Sequence, residues 1–347
     1  MRLHMLGGLT PRTFLRRHWQ KRPLFVRDAL PHFADSQDEM RDLRALCALA
    51  RRDDVESRIV ERRGNRWETQ HGPFKRTKVR SSNWTILVSG VNLHLPAAEE
   101  LLRRFQFIPQ ARLDDVMVSY ATPGGGVGPH VDSYDVFLVQ GFGQRRWRIG
   151  GREYLAGPGD LLYVPPGMRH DGVAIAPCAT YSVGFRAPRG AELGAAFLDW
   201  LHERGLPDAT YRDAGLLPAA RPSMIPKRMV AFTASVLEKI SWSQDDATCF
   251  LGEYLTMPKA HVVFRPSRGT RRLERSLVRL DAKTQLLYSG KRFFINGEAV
   301  SVPHRHAAAL RKLAESRRLP GERLASPPLA ALISGWRRLG YLHFERP

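Results

Sequence analysis

The hydrophobic pattern changes period several times along the chain. Tyr134-Asp-Val-Phe-Leu-Val-Gln140 predicts a strand that ends at Gly141-Phe-Gly143, and Arg145-Arg-Trp-Arg-Ile149 alternates with period two, so the pair reads as a β-hairpin. Leu161 to Val164 is a short apolar strand bounded by Pro158-Gly159 and Pro165-Pro166-Gly167. Beyond Pro188 the period lengthens. Ala191 to Gly205 carries Leu193, Phe197, Leu198 and Leu201 at helical spacing, and two further helical runs span Pro226 to Ile240 and Thr248 to Leu255. A helical block of this size predicts either a dimerisation element or a cap on the preceding sheet.

Pro266 to Arg272 is polar, basic and broken by Pro and Gly, which predicts a linker. Gln285 to Val302 then reads as strands punctuated by Ser289-Gly290 and Asn296-Gly297, the second a type I′ hairpin signal. Helices over His306 to Glu315 and Leu329 to Leu339 and a last strand, Tyr341 to Phe344, complete a winged-helix-like order. Arg337 and Arg338 on the last helix leave DNA contact open beside a purely protein-contacting role.

At 347 residues and 43% apolar content the chain predicts two or three domains with a sizeable core. Cys47, Cys178 and Cys249 form no C-x-x-C pair, as expected in a reducing cytoplasm. With no signal-like leader and no apolar run of about 18 residues, a cytoplasmic location without a membrane span is expected. The net charge is +20 and the pI near 10.6, but the excess is spread in doublets such as Arg16-Arg17, Arg62-Arg63 and Arg271-Arg272. Doublets read first as solvated faces, with nucleic-acid contact as the functional alternative.

Chemistry concentrates in one stretch. His130-Val-Asp132 follows Gly124-Gly125-Gly126, and His170 closes Pro158-Gly-Asp-Leu-Leu-Tyr-Val-Pro-Pro-Gly-Met-Arg-His170. On an extended strand His130 and Asp132 would project to one side, and the turn, strand and proline bend before His170 would return it beside them. Two imidazoles and a carboxylate on one face of an octahedral ion suit iron(II) and leave three positions open. If Trp147 and Ile149 point inward, Arg145 does too, and a buried guanidinium needs an anionic partner. That partner is either a neighbouring strand's carboxylate or a small dicarboxylate such as 2-oxoglutarate, taken bidentately.

These residues resemble the JmjC-type cupin oxygenases, and among them the bacterial ribosomal oxygenases. The likeness runs through Phe14-Leu-Arg-Arg-His-Trp-Gln-Lys-Arg-Pro23, His71-Gly-Pro-Phe74, Asn83-Trp84, Pro123-Gly-Gly-Gly-Val-Gly-Pro-His130, Tyr134-Asp-Val-Phe137, Pro158-Gly-Asp160 and Tyr181-Ser-Val-Gly-Phe-Arg-Ala-Pro188. It implies a mixed α+β fold: a double-stranded β-helix (cupin/JmjC jelly roll) over 1–190, a helical dimerisation region over 191–265 and a winged-helix-like domain over 266–347. By resemblance His130, Asp132 and His170 bind Fe(II), Arg145 holds the 5-carboxylate of 2-oxoglutarate, and Ser119, Tyr134 and Ser182 line the pocket. Asp115, Tyr134 and Asp135 are candidates to hold a substrate guanidinium.

The implied activity consumes O2 and 2-oxoglutarate, hydroxylates an arginine of a large-subunit ribosomal protein and releases succinate and CO2. A homodimer and contact with ribosomal RNA are the implied assemblies. A ligand-sensing cupin joined to a DNA-binding winged helix, or an oxygenase acting on a histidyl residue or another protein, are the alternatives. One departure stands out: only Gly150 to Gly157 separate the Arg-Trp strand from Pro158-Gly-Asp160, where the family has a longer excursion.

Overall fold

The computed structural model describes residues 1–31, 38–266 and 271–346. Among the described residues of the first part, the helices are α1 (Pro11–Arg17), α2 (Asp38–Arg41), α3 (Leu43–Leu49) and α4 (Pro96–Arg103). The strands there are β1 (Leu24–Val26), β2 (Ser57–Arg63), β3 (Arg66–His71), β4 (Trp84–Val88), β5 (Leu113–Ala121), β6 (Val136–Phe142), β7 (Arg145–Ile149), β8 (Arg152–Ala156), β9 (Leu161–Val164), β10 (His170–Ala174) and β11 (Cys178–Phe185). They form an eight-stranded sheet, β1-β9-β6-β11-β5-β4-β2-β3, facing a three-stranded one, β10-β7-β8. Every pairing is antiparallel.

Period-two patterning sorts the large sheet into two faces. Ile86, Val88, Val116, Val118, Phe137, Val139, Tyr181 and Val183 point backward into the main core, covered by the N-terminal helices and Phe105. Phe14 of α1 packs on Phe137 and Tyr163 at 5.5 and 5.1 Å between ring centroids. That helix begins where Thr10 caps the Thr13 N–H and Pro11 presets the first turn. The opposite face, looking at the small sheet, carries Ser119, Thr180, Ser182 and Gln140 with a second apolar cluster of Val136, Leu138, Trp147, Ile149, Leu162 and Val164. An interior with polar groups among apolar walls is where ligand chemistry can be housed.

The expected hairpin from β6 into β7 does not form. β6 pairs with β11 and β9, whereas β7 pairs with β10 and β8, so the chain crosses from one sheet to the other at Gly143-Gln144. Gly143 makes the crossing with φ +60°, and a Cβ there would lie 2.0 Å from the Pro177 carbonyl oxygen. The inward parity of Arg145, Trp147 and Ile149 is nevertheless as expected, with Arg146 and Arg148 exposed. β7 instead closes a hairpin with β8 through Gly150-Gly151, both at positive φ, which accounts for the short stretch before Pro158.

Three helices follow, α5 (Gly190–Glu203), α6 (Lys227–Leu237) and α7 (Gln244–Thr256), close to the predicted runs. α7 starts later in the sequence reading because its capping box, Ser243 with Asp246, is polar and precedes the apolar stripe. Phe197, Trp200, Trp242 and Phe250 form an aromatic knot between α5 and α7. The linker expected at Pro266 to Arg272 falls largely on 267–270, outside the described residues.

The C-terminal part contains β12 (Leu277–Leu280), β13 (Leu286–Ser289), β14 (Arg292–Ile295), β15 (Glu298–Ser301), α8 (His304–Ser316), β16 (Arg318–Pro320), α9 (Pro327–Leu339) and β17 (Leu342–Glu345). Asn296 and Gly297 both take positive φ, as a type I′ turn requires. β12 and β16, which flank one another in the sheet β16-β12-β17, were not anticipated. Arg317, buried and in the left-handed region at φ 58°, ties this part to α4. Its Nε donates to Glu99 (2.9 Å), Nη1 to the Thr284 carbonyl (3.0 Å) and Nη2 to the Asp281 carbonyl (2.7 Å), while Arg103 donates to the Ser316 carbonyl.

Candidate metal and cosubstrate site

His130 and Asp132 lie on the loop between β5 and β6 rather than on a strand, and the loop is laid along β10. His130 and His170 exchange both backbone hydrogen bonds at 3.0 Å, and Ala174 does the same with Gly124 and Gly125 at 2.9 Å. The glycines permit this approach: a Cβ on Gly126 would fall 2.4 Å from the Gly172 carbonyl oxygen. The Asp132 carbonyl accepts from Gly167 N–H at 2.8 Å, so the proline bend that delivers His170 is bonded to the other ligand-bearing loop.

The side chains converge. One donor atom from each of His130, Asp132 and His170 lies within 4.8 Å of the others. Both imidazoles turn Nδ1 to a carbonyl two residues upstream, Gly128 at 2.9 Å and Met168 at 3.0 Å. A carbonyl only accepts, so Nδ1 carries a proton and the neutral ring presents its lone pair at Nε2. Those Nε2 atoms stand 3.9 and 3.6 Å from the Asp132 carboxylate oxygens. Burial pushes the His170 pKa down, which favours the neutral ring a metal needs. Two imidazoles that both turn Nε2 toward a carboxylate form with it a donor set suited to non-haem iron(II).

Arg145 shares the inner face of the small sheet with His170. Opposite it in the ladder is Ala174, opposite Trp147 is Gly172, and opposite Ile149 is His170, so Arg145 and His170 are four residues apart along the wall, about 13 Å at strand rise. Trp147 lies flat on Gly172, where a Cβ would come 2.5 Å from the ring, and its ring is 6.2 Å from His170. Arg145 is 4% exposed; its Nη1 donates to Ser119 Oγ at 3.1 Å, while buried Nε and Nη2 have no protein acceptor. No carboxylate forms a salt bridge with it among the described residues. Unpaired buried N–H donors on a cation fit a carboxylate ligand.

Residues 100–157 and 151–193 match the JmjC domain family, and 239–343 match the ROXA-like winged helix. The two JmjC stretches meet at the β7–β8 hairpin, where the chain is short. The Escherichia coli ribosomal protein uL16 3-hydroxylase is 35% identical over 96% of this chain and 97% of its own. This chain belongs to the ribosomal oxygenase family. A Haemophilus influenzae probable ribosomal oxygenase is 37% identical over 53% of this chain and 52% of its own. The solved structure of the Escherichia coli ribosomal oxygenase YcfD with cobalt and 2-oxoglutarate superposes with a TM-score of 0.81 at 33% identity, covering 97% of this chain and 98% of that one. A second, with cobalt and succinic acid, gives 0.80. The family is one of JmjC-class, 2-oxoglutarate-dependent oxygenases.

In this ribosomal oxygenase the remaining predicted residues separate into two groups. Ser182 is buried on the inner face of β11, opposite Met117 of β5 and Leu138 of β6. Asp115 lies two residues before Met117 on the same face of β5; its Oδ2 accepts from the Gly90 N–H at 2.8 Å, and burial followed by neighbouring Asp114 pushes its pKa up. Tyr134 stands partly exposed, its phenol pushed up to about 12 by burial and by Asp132 and Asp115. Asp135 is a correction. It is fully buried and accepts from Tyr163 at 2.6 Å, Gln20 at 3.1 Å and Arg112 at 3.4 Å, so it anchors the N-terminal segment and is closed to a substrate.

The sequence reading overlooked Met117, Thr180, Gln140 and Trp67. Thr180 Oγ1 donates to Gln140 Oε1 at 2.9 Å, behind Ser119. Alternation in Cys178-Ala-Thr-Tyr-Ser-Val183, polar residues against bulky apolar ones, was the available signal. Arg337 is engaged within its own domain, donating to the Arg271 carbonyl and lying 4.3 Å over the Phe344 ring. A cavity of about 610 Å³ between α7, β13 and Pro109–Ala111 is apolar and holds none of the predicted site residues.

Proposed function

We propose that this chain is an iron(II)- and 2-oxoglutarate-dependent hydroxylase of an arginine side chain in uL16, the protein named as the substrate of its Escherichia coli relative. The observation that carries the reading is the inner wall, with a His-Asp-His cluster at one level and a buried arginine offering idle donors at another. When bound, the metal and 2-oxoglutarate supply the oxidising power to place one oxygen atom of O2 in a C–H bond, the other leaving in succinate as CO2 is released.

His130, Asp132 and His170 would hold the metal, and Arg145, steadied by Ser119, would take the far carboxylate of 2-oxoglutarate by a bidentate pair. Asp115 and Tyr134 would hold the guanidinium between a carboxylate and an aromatic ring, with Met117 and Ser182 completing the channel. Trp147, Leu138 and Leu162 keep competing water from the reacting carbon. A homodimer fits the helical region, since α6 has no buried side chain and Met229, Val230 and Leu237 stand exposed, as do Leu198 and Trp242 elsewhere in the region. Light scattering would test that assembly. The charge of +20 supports contact with ribosomal RNA.

The deciding experiment incubates the enzyme with uL16, iron(II), ascorbate and 2-oxoglutarate and maps the product by mass spectrometry. The expected result is a gain of one oxygen atom on one arginine, coupled to succinate and lost in His130→Ala. A gain on histidine, or none on any residue of uL16, rejects the assignment.

A further inference from the structure

We infer that Lys259 is a positioning residue for the hydroxylation, brought against β5 by the segment that follows α7 so that its ammonium sets the charge on the Asp114–Asp115 pair. The role rests on the proposed function, in which Asp115 receives the target guanidinium. Lys259 Nζ lies 3.3 Å from Asp114 Oδ1, which Arg186 Nε also approaches at 3.5 Å. Consecutive strand residues project to opposite faces, so Asp114 takes the ammonium while Asp115 keeps the inner face with Met117. Asp115 forms no salt bridge among the described residues and accepts the Gly90 N–H at 2.8 Å. A carboxylate has about four lone-pair sites, so the lysine lends Asp115 its field without using the sites a guanidinium needs.

Three parts of the chain hold this lysine in place. α7 stops at its C-cap, Met257, before Pro258, and the Val262 N–H closes a turn on the Lys259 carbonyl at 2.9 Å. Arg186, just after β11, donates to the Leu255 carbonyl in the last turn of α7. From the winged helix, the Gly297 N–H donates to Thr256 Oγ1 at 3.0 Å and Lys283 Nζ to the Val263 carbonyl at 2.7 Å. A lysine that merely tied α7 to β5 would be redundant, because Arg186 already joins the two through Leu255 and Asp114.

Charge balance gives the lysine its task. Burial first, then Asp114, push the Asp115 pKa up, with Glu56 adding to them; Lys259 is the largest opposing cause, ahead of the Gly90 N–H. Burial works against the ammonium too, but Asp115 and Asp114 outweigh it and hold the Lys259 pKa above its ordinary value. Arg186, His261 and Lys283 are the other charged or titratable groups of the small cavity that Asp115, Glu56 and Lys259 share, and Tyr134 faces the pair from the loop before β6. A protonated Asp115 cannot ion-pair with a guanidinium, so loss of Lys259 should weaken substrate capture increasingly as pH falls.

The test compares wild type, Lys259→Met and Lys259→Arg as full-length enzyme with iron(II), ascorbate and uL16 from about pH 5.5 to about 8.5. In Lys259→Met the acid limb of kcat/KM for uL16 should move up by about one pH unit, a loss of about tenfold on the limb that closes at high pH, with KM for 2-oxoglutarate unchanged. Lys259→Arg should restore the wild-type limb. A loss of equal size at every pH, or a matching rise in KM for 2-oxoglutarate, overturns the inference, since a packing defect gives both. An unmoved limb in Lys259→Met overturns it as well, and melting by circular dichroism reports whether each variant is folded. Infrared titration of the Asp115 carboxyl, identified by its loss in Asp115→Asn, reads the same displacement with no substrate present. If it appears while uL16 is not hydroxylated, the coupling of Lys259 to Asp115 is upheld and the proposed function alone falls; if uL16 is hydroxylated without it, the inference alone falls.

Discussion

Two buried arginines divide the molecule between them. Arg317, at the seam between α4 and the winged helix, has a carboxylate and backbone carbonyls for its donors. Arg145, inside the jelly roll, has one hydroxyl and two idle buried nitrogens. Each guanidinium is costly to desolvate, yet only the first recovers that cost within the chain. The contrast separates a structural charge, satisfied by the protein, from one whose partner must come from outside.

Substitution should pull the two apart. Arg317→Met leaves Glu99 and the carbonyls unpaired and should cost about 3–5 kcal/mol, lowering Tm by roughly 10 °C while turnover per folded molecule is kept. Arg145→Met should do the reverse, raising KM for 2-oxoglutarate about 100-fold, a loss near 3 kcal/mol, with Tm unchanged or higher. A comparable Tm loss in both would erase the distinction.

The seam should also be the pH-sensitive region. Burial first, then Arg52, lowers the pKa of His94 from its ordinary 6.5 to about 4, with Lys283 and His261 adding to the same effect and Asp54 opposing it. The unfolded chain therefore binds a proton that the folded one refuses. His94 lends its stability fully above pH 6.5, and that stability is lost as pH falls from 6.5 to about 4. Melting curves across that window should slope in the wild type and flatten in His94→Asn. The smallest effect belongs to Ser119→Ala, which removes one hydrogen bond to Arg145 and should raise KM for 2-oxoglutarate about fivefold, near 1 kcal/mol. An unchanged KM there would mean that Arg145 is held by packing on Trp147 alone.

Particular residues show why some of this was legible in one dimension. Arg145 could be placed inward because Trp147 and Ile149 share its parity, a relation between residues two apart that any strand imposes. Asn296-Gly297 announced its turn because few residues tolerate positive φ. By contrast, nothing local could say that β7 would pair with β10 rather than β6, or that Asp135 would be consumed by Tyr163 and Gln20. Those outcomes depend on groups far away in the chain.

Strand parities, helical stripes and the types of donor around His130, Asp132, Arg145 and His170 are written in the local order of residues, because dihedral preference, side-chain period and ligand chemistry are properties of neighbours. Folding in three dimensions settled which carboxylates remained free, which arginine kept idle donors and which loop lay along β10. Burial and hydrogen-bond satisfaction are settled between segments more than 100 residues apart, as when Gln20 reaches Asp135, and no local period encodes them.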